Sequence, residues 1–339
     1  MLKPKYIVYV ALALGALFFS GCSGKQYFEP KQAYGVSASG SYGDTIVDLT
    51  RDGATLESGR YIGKAGISKT KLVKGYRFLS ESDKYMLSSN TQGILNIYDK
   101  TTHKIVRAVA LHFPVVSASI HRGIIAYILS NNTFGLYQIS GNKKLTESRS
   151  ERTYAIDTRA ASPMFVDNLA VMPMLDGKLI IVDSQNTENT KVVYLSSYKM
   201  FNNVVYLSRM KNTMIVATPK KIVTIGDAGK KEYRANISET ALGEKSIYLF
   251  TKEGEVIKLN TSLQPLIKKK FKFAHFSAAT VYGGRVYGLD QHGSLIVLSP
   301  DLRKMRVYEL GKVEEPVFIS GPRLYKDGSV INLSSLGYE

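Results

Sequence analysis

The sequence contains a single cysteine and no tryptophan among its 339 residues. One thiol cannot form a disulfide within the chain, so the core alone must stabilise the fold. Runs with apolar residues at helical spacing are nearly absent, which disfavours an α/β fold. The histidines are few and form neither an HxH nor an HExxH motif, and the sequence therefore predicts no zinc site. They are His103, His112, His121, His275 and His292.

Other motifs of catalysis or cofactor binding are also missing. Asp176-Gly177 and Asp327-Gly328 lack the carboxylate ladder of a calcium loop and are typical of turns. The run YGGRVYG (282–288) is not GxGxxG, and no predicted helix N-terminus could hold a phosphate beside it. GxSxG is absent as well. The sequence therefore predicts a protein that is not an enzyme and has no cofactor and no metal.

The N-terminus has the pattern of an export signal. Lys3 and Lys5 precede an apolar stretch of 14 residues, 6–19, and small residues follow it. As a helix this stretch would cover about 21 Å, less than the roughly 30 Å of a hydrocarbon core. The pattern predicts a cleaved signal peptide rather than a permanent membrane span.

Cys22 stands at the end of this signal, in Phe19-Ser20-Gly21-Cys22. This stretch resembles a bacterial lipobox, although Phe19 occupies the position where leucine is usual. The resemblance implies that residues 1–21 are removed and that Cys22 is lipidated. Ser23, rather than aspartate, follows, which implies sorting to the outer membrane. We expect the protein to face the periplasm, and the cell surface is the alternative. A buried core thiol and a reactive nucleophile are the alternatives for Cys22.

Residues 22–35 are polar, contain Gly and Pro and lack periodicity, so they predict a tether between the lipid and a body formed by residues 36–339. In that body a hairpin recurs about every 40 residues: a short apolar strand, a polar turn and a second alternating strand. Glycine occupies the turn in six of seven hairpins, because tight turns often need a positive φ. The turn positions are Gly93, Gly135, Gly177, Lys220, Gly254, Gly293 and Gly328.

This period predicts an all-β fold, a β-propeller of four-stranded blades. We expect seven blades, with residues 45–62 completing the last blade so that N- and C-terminal strands close the ring. A count of eight, with Gly53 as a further turn position, is the alternative.

The lipobox, the tether and repeats such as DGKLIIVDS (176–184) together resemble PQQ-like propellers, among them the BamB-type outer-membrane lipoproteins. The resemblance implies a scaffold that binds other envelope proteins, including the machinery that assembles outer-membrane β-barrels. The tryptophan that is common in PQQ-type repeats is missing here. A degenerate quinoprotein-type enzyme is therefore the least favoured reading.

The charge of the chain is strongly basic, +17 overall and +15 once Lys3 and Lys5 are removed. In an exported protein this favours an anionic envelope polymer, peptidoglycan or lipopolysaccharide, over nucleic acid. Strand alternation places Lys268, Lys270 and Lys272 on one face of LIKKKFKFAHF (266–276). We expect these lysines to contact an anionic polymer or a partner, unless they only protect the edge of a blade.

Two apolar segments are candidates for a protein interface, Met172-Pro173-Met174 and Met200-Phe201. A position in the core is the alternative for both.

Overall fold

The computed structural model describes residues 26–154, 156–198 and 200–339. Cys22 and the predicted signal peptide lie outside these ranges. The described residues form 33 strands in eight sheets and one 3₁₀ helix, Leu333–Ser335. No helix in this part of the chain is both long and apolar enough to cross a membrane.

Each sheet is a blade, and the blades are numbered here in chain order. Two short strands precede blade 1: β1 (Tyr34–Gly35) and β2 (Gly40–Ser41). The strands of blades 1 to 4 are β3 (Ile46–Leu49), β4 (Ala54–Leu56), β5 (Tyr61–Gly63), β6 (Gly66–Ile67); β7 (Arg77–Glu81), β8 (Tyr85–Ser89), β9 (Ile94–Asp99), β10 (Lys104–Ala110); β11 (Val115–His121), β12 (Ile124–Leu129), β13 (Thr133–Gln138), β14 (Lys143–Arg149); and β15 (Met164–Val166), β16 (Leu169–Pro173), β17 (Lys178–Asp183), β18 (Thr190–Tyr194).

The strands of blades 5 to 8 are β19 (Tyr206–Met210), β20 (Thr213–Thr218), β21 (Lys221–Gly226), β22 (Gly229–Arg234); β23 (Ile237–Leu242), β24 (Ile247–Thr251), β25 (Glu255–Leu259), β26 (Pro265–Lys270); β27 (Phe276–Tyr282), β28 (Arg285–Asp290), β29 (Ser294–Leu298), β30 (Met305–Glu309); and β31 (Phe318–Ser320), β32 (Arg323–Lys326), β33 (Ser329–Asn332).

The strands within a blade pair antiparallel in chain order, as consecutive hairpins do. The turn between the second and third strands, here the middle turn, therefore lies at the same end of the blade as the connection to the next blade. We call this end of the propeller the connection face.

The middle turns explain most of the glycine pattern. Five of the seven predicted turn positions are middle-turn glycines with positive φ: Gly93, Gly177, Gly254, Gly293 and Gly328. One prediction was wrong. Gly135 lies inside β13, where a Cβ would be 2.3 Å from the Tyr127 ring, and the positive φ belongs to Asn132. Lys220 does lie in a middle turn, which in this blade is a two-residue turn between the paired residues Thr218 and Lys221.

The propeller has eight blades, so the expected count of seven was wrong and the alternative count of eight is confirmed. Gly53, the further turn position expected for that count, lies before β4, and the middle turn of blade 1 contains Gly59 instead. Residues 45–62 do not complete the last blade, because most of them belong to the separate four-stranded sheet of blade 1. Its strands are only two to four residues long, which weakened the repeat signal. The fourth strand of blade 8 is β2, in which Gly40 pairs with Val330 and Ser41 with Ser329.

The hydrophobic core consists of eight clusters, and each is shared by two neighbouring blades. A typical cluster joins blades 2 and 3 through Leu87, Leu95, Ile125 and Tyr127. Another joins blades 8 and 1 through Tyr325, Ile46 and Ile62. A single blade cannot bury both of its faces, so stacking against neighbours supplies most of the apolar burial.

Candidate functional site

A central cavity of about 1180 Å³ lies on the axis of the propeller. The first strand of every blade contributes to its lining, from Val47 in β3 to Ile319 in β31. Middle-turn residues such as Asn90 and connection residues such as Pro114 also line it. The cavity therefore reaches the connection face.

Arginine side chains cross this cavity and bind to carboxylates and backbone carbonyls of other blades. Arg51, after β3 of blade 1, donates to the Val205 carbonyl oxygen at 2.8 Å and to Glu239 of blade 6 at 3.0 Å. Arg77 pairs with Asp48 at 3.3 Å and donates to the Val115 carbonyl oxygen at 2.8 Å. The Arg51 contacts link blade 1 to residues more than 150 positions away, and the Arg77 contacts join blade 2 to its neighbours, blades 1 and 3.

Two aspartates in this region have opposite pKa shifts. Burial raises the pKa of Asp52, although a hydrogen bond from Ser162 opposes the rise. Burial acts in the same direction on Asp157, but the hydrogen bond and the charge of Arg159 outweigh it and lower the pKa of Asp157. The Arg159 guanidinium also binds the Ser238 carbonyl oxygen and lies 3.8 Å from Glu239. The contacts with Arg159 therefore stabilise the anionic form of Asp157, whereas burial destabilises the anionic form of Asp52.

Two connections stand out on the connection face: residues 150–163, between blades 3 and 4, and residues 195–205, between blades 4 and 5. They are tied together by a reciprocal pair of hydrogen bonds. The Asn203 side chain accepts from the Asp157 amide at 2.7 Å and donates to the Asp157 carbonyl oxygen at 3.0 Å. The first connection is fixed at its start by Lys178, whose ammonium is 2.6 Å from Glu151 and 3.2 Å from Asp176.

The second connection folds back on itself because the Asn202 amide donates to the Ser196 carbonyl oxygen at 3.1 Å. Large apolar side chains between these residues point into solvent rather than into the core. With one residue of the first connection they form what we call the aromatic loop surface: Tyr154 (76 % exposed), Tyr198 (52 %), Met200 (57 %) and Phe201 (48 %). Large apolar side chains exposed on loops that hydrogen bonds tie together are typical of a protein interface.

Of the two apolar segments that the sequence predicts as interface candidates, one is buried and the other is exposed. Met172 and Met174 are fully buried in the cluster between blades 3 and 4, so the interface interpretation was wrong for them. Met200 and Phe201 belong to the aromatic loop surface. Sequence reasoning missed Tyr154 and Tyr198, although the unusual length of both connections between hairpins was a signal that could have found them.

The three lysines predicted to make contacts lie at the outer edge of blade 6. Lys268 and Lys270 are exposed on β26, and Lys272 is exposed in the connection that follows. The Lys268 ammonium lies 5.8 Å from the centre of the Tyr233 ring on blade 5, and Lys272 lies 4.8 Å from the ring of Phe273. Lys269 points the other way and donates to the Leu302 carbonyl oxygen at 3.1 Å. Their contact with an anionic polymer or a partner stays a prediction.

No cluster of three or more histidine, cysteine or acidic side chains suited to a metal ion occurs among the described residues. Cys22, the predicted lipidation site, lies outside them, and its lipidation also stays a prediction.

Comparison with known proteins gives a fold and two distant relatives. No family model matches the chain. It is 26 % identical to the plasminogen-binding protein PgbB of Helicobacter pylori strain J99, over 96 % of this chain and 70 % of that protein. The PgbB of Helicobacter pylori strain 26695 is 25 % identical over the same shares.

Among solved structures, BamB from Moraxella catarrhalis superposes with a TM-score of 0.67 at 13 % identity, covering 86 % of this chain and 98 % of that one. The C-terminal WD40 domain of Sif2 gives 0.64 at 10 % identity, covering 89 % and 99 %. The chain is therefore a BamB-like β-propeller in fold, and its similarity in sequence is to proteins named for binding rather than for catalysis.

Proposed function

We propose that this chain is a lipoprotein of the outer membrane, anchored at Cys22 and facing the periplasm, whose propeller binds other proteins and catalyses no reaction. The aromatic loop surface is the observation that carries this proposal. Exposing four large apolar side chains to water is unfavourable, and a partner that covers them would recover that free energy. Arg51 supports the end of the second connection through its hydrogen bond to the Val205 carbonyl oxygen.

Two kinds of partner suit this proposal. The BamB-like fold favours a scaffold role in the assembly of outer-membrane β-barrels. The relatives named for binding plasminogen favour a host protein as ligand. We expect either kind of partner to cover the aromatic loop surface, because its large apolar side chains are exposed to water.

Binding of an anionic envelope polymer is the second candidate. The exposed positions of Lys268, Lys270 and Lys272 on the edge of blade 6 favour it. Salt distinguishes the two candidates, since charge contacts between exposed groups are screened at high ionic strength whereas apolar contacts are not.

The test combines purification with matched variants. The tagged full-length chain is crosslinked in cells and purified, and co-purified proteins are identified by mass spectrometry; binding of plasminogen to the purified chain is measured separately. We expect Tyr198→Ser/Met200→Ser/Phe201→Ser to lose the partner at any salt concentration. Ile105→Ser/Val106→Ser, on the outer strand of blade 2, removes similarly exposed apolar groups and should keep it. If only Lys268→Gln/Lys270→Gln/Lys272→Gln lost the bound partner, the result would support binding of an anionic envelope polymer instead.

We also propose that β2 closes the ring. Its pairing with β33 and the core cluster shared by blades 8 and 1 support this closure. It would join the two ends of the described chain without any disulfide.

A further inference from the structure

The part of the predicted tether that the structure describes lies against blades 6 and 7. The Tyr27 ring stacks on His292 in the middle turn of blade 7, with ring centres 4.9 Å apart. The Phe28 ring meets Phe271 edge to face at 5.8 Å and packs on the cluster between the two blades.

The same segment makes a second set of contacts farther along. Tyr34 lies 6.2 Å from the Tyr308 ring and 4.7 Å from the guanidinium carbon of Arg306. At this point β1 pairs parallel with β30. We call the contacts of Tyr27, Phe28 and Tyr34 the aromatic clasp.

The clasp limits the distance between the propeller and the membrane. His292 and Phe271 both belong to the connection face, at the boundary of blades 6 and 7. Cys22 precedes Tyr27 by five residues. Even a fully extended chain covers only about 3.6 Å per residue, so the lipidated end stays within roughly 18 Å of this boundary.

The edge of blade 6 beside this boundary is basic. Residues 252–272 contain six lysines and two glutamates. Lys252, in the middle turn, and Lys270 and Lys272, at and beyond the end of the outer strand, are exposed. Lysines held near a membrane are attracted to its anionic headgroups.

From these contacts we propose that the aromatic clasp orients the propeller, turning the lysine edge of blade 6 toward anionic phospholipid headgroups of the membrane that holds Cys22. This rests on the anchoring proposed above. The clasp is held by blades 6 and 7, whereas the aromatic loop surface lies in the connections from blade 3 to blade 5, so this surface would stay accessible to a partner.

The clasp can be tested without any lipid because the chain has no tryptophan. In a Cys22→Ser background, Phe28→Trp places a single indole in the clasp and Tyr154→Trp places one in solvent. We expect emission from position 28 at a shorter wavelength than from position 154, shifting to longer wavelength on Phe271→Ser. Equal emission from both positions would overturn the clasp, whatever the fate of Cys22.

Orientation is tested on the lipidated chain in vesicles that contain an acceptor dye on their headgroups. Because Cys22 would be blocked by lipid, one added thiol can be labelled at a time, at Gln291→Cys beside the clasp or at Ser148→Cys on blade 3. We expect greater energy transfer from position 291, and loss of that difference in Tyr27→Ser/Phe28→Ser/Tyr34→Ser. Equal transfer from both positions in the parent protein would overturn the orientation. No attachment of either protein to vesicles would overturn the anchoring.

The lipid class is tested by composition. Transfer from position 291 should be greater with phosphatidylglycerol present than with phosphatidylcholine alone, and Lys252→Gln/Lys270→Gln/Lys272→Gln should abolish this gain. Transfer that does not depend on composition would overturn the headgroup contact.

Discussion

At the residue scale, the middle-turn glycines serve packing as well as backbone conformation. Gly254 has a φ of +78°, and a Cβ there would lie 2.3 Å from the Phe271 carbonyl oxygen of the following connection. Gly229 has a φ of +80°, but a Cβ there would meet nothing within 4 Å. The two glycines therefore separate the cost of a positive φ from the cost of a clash.

We expect Gly229→Ala to lower the free energy of unfolding by about 1–2 kcal/mol, the strain of a left-handed alanine. Gly254→Ala should lower it distinctly more, because the connection must move away from the middle turn. Urea unfolding of both variants, followed by circular dichroism, measures the difference. Equal losses would show that the turn can shift freely and that packing does not explain the repeat of glycines.

The two aspartates at the cavity predict opposite effects of pH. The pKa of Asp52 is raised, so its ionised form destabilises the fold at pH 7 and its protonation relieves the cost as the pH falls. We expect Asp52→Asn to raise the melting temperature at pH 7 and to lose this advantage as the pH falls through the raised pKa.

Asp157→Asn should do the reverse. The pKa of Asp157 is lowered, so its stabilising contribution is present above the ordinary value of 3.8 and is lost as the pH falls through the lower, folded value. The variant should melt earlier than the parent at pH 7, and the gap should narrow in acid. Thermal melts of both variants from pH 3 to pH 7 test the pair, and shifts of the same sign would contradict the assigned environments.

At the element scale, the sequence predicts the hairpins well and the ends of the propeller poorly. Alternating strands around glycine turns are local signals, which is why the all-β propeller could be predicted. The sequence did not predict blade 1 correctly, because the glycine of its middle turn is Gly59 and not Gly53. Gly53 precedes β4, where a Cβ would clash with the Ile62 carbonyl oxygen. Gly40 and Ser41 are too few to show a strand pattern, and their partners lie almost 290 residues away.

The candidate site was harder to predict than the fold for the same reason. The distance between hairpins reveals that residues 150–163 form a long connection, but not that Asn203 binds Asp157 there. Whether a methionine is buried also depends on tertiary contacts. Met172 lies on a strand of blade 4 and packs against blade 3, whereas Met200 is exposed on a loop that is held by the hydrogen bond from Asn202 to Ser196.

The proposed closure of the ring predicts a specific disulfide. Ser41 and Ser329 are directly opposite in the pairing of β2 with β33. In a Cys22→Ser background, Ser41→Cys/Ser329→Cys should oxidise readily and raise the melting temperature, since the bond would constrain the unfolded chain. Ser41→Cys/Ser262→Cys, with the second thiol in a turn of blade 6, is the control. A pair that stays reduced at positions 41 and 329 would contradict the closure.

At the scale of the whole molecule, the proposed anchor and the proposed partner site occupy different sides of one ring. The aromatic clasp is at blades 6 and 7, and the aromatic loop surface is at blades 3 to 5. Stacked blades with shared core clusters make the ring a rigid spacer between the two. This division would let the protein stay attached to the membrane while it holds a partner.

The central claim is that a protein partner binds at the aromatic loop surface, and site-specific photocrosslinking in living cells tests it most directly. A photoreactive amino acid replaces Tyr154 or Phe201 in one set of strains, and Ile105 or Val106, exposed on the outer strand of blade 2, in another. We predict discrete protein adducts from positions 154 and 201 and none from positions 105 and 106. Adducts from the outer strand alone, or none from any position, would contradict the account.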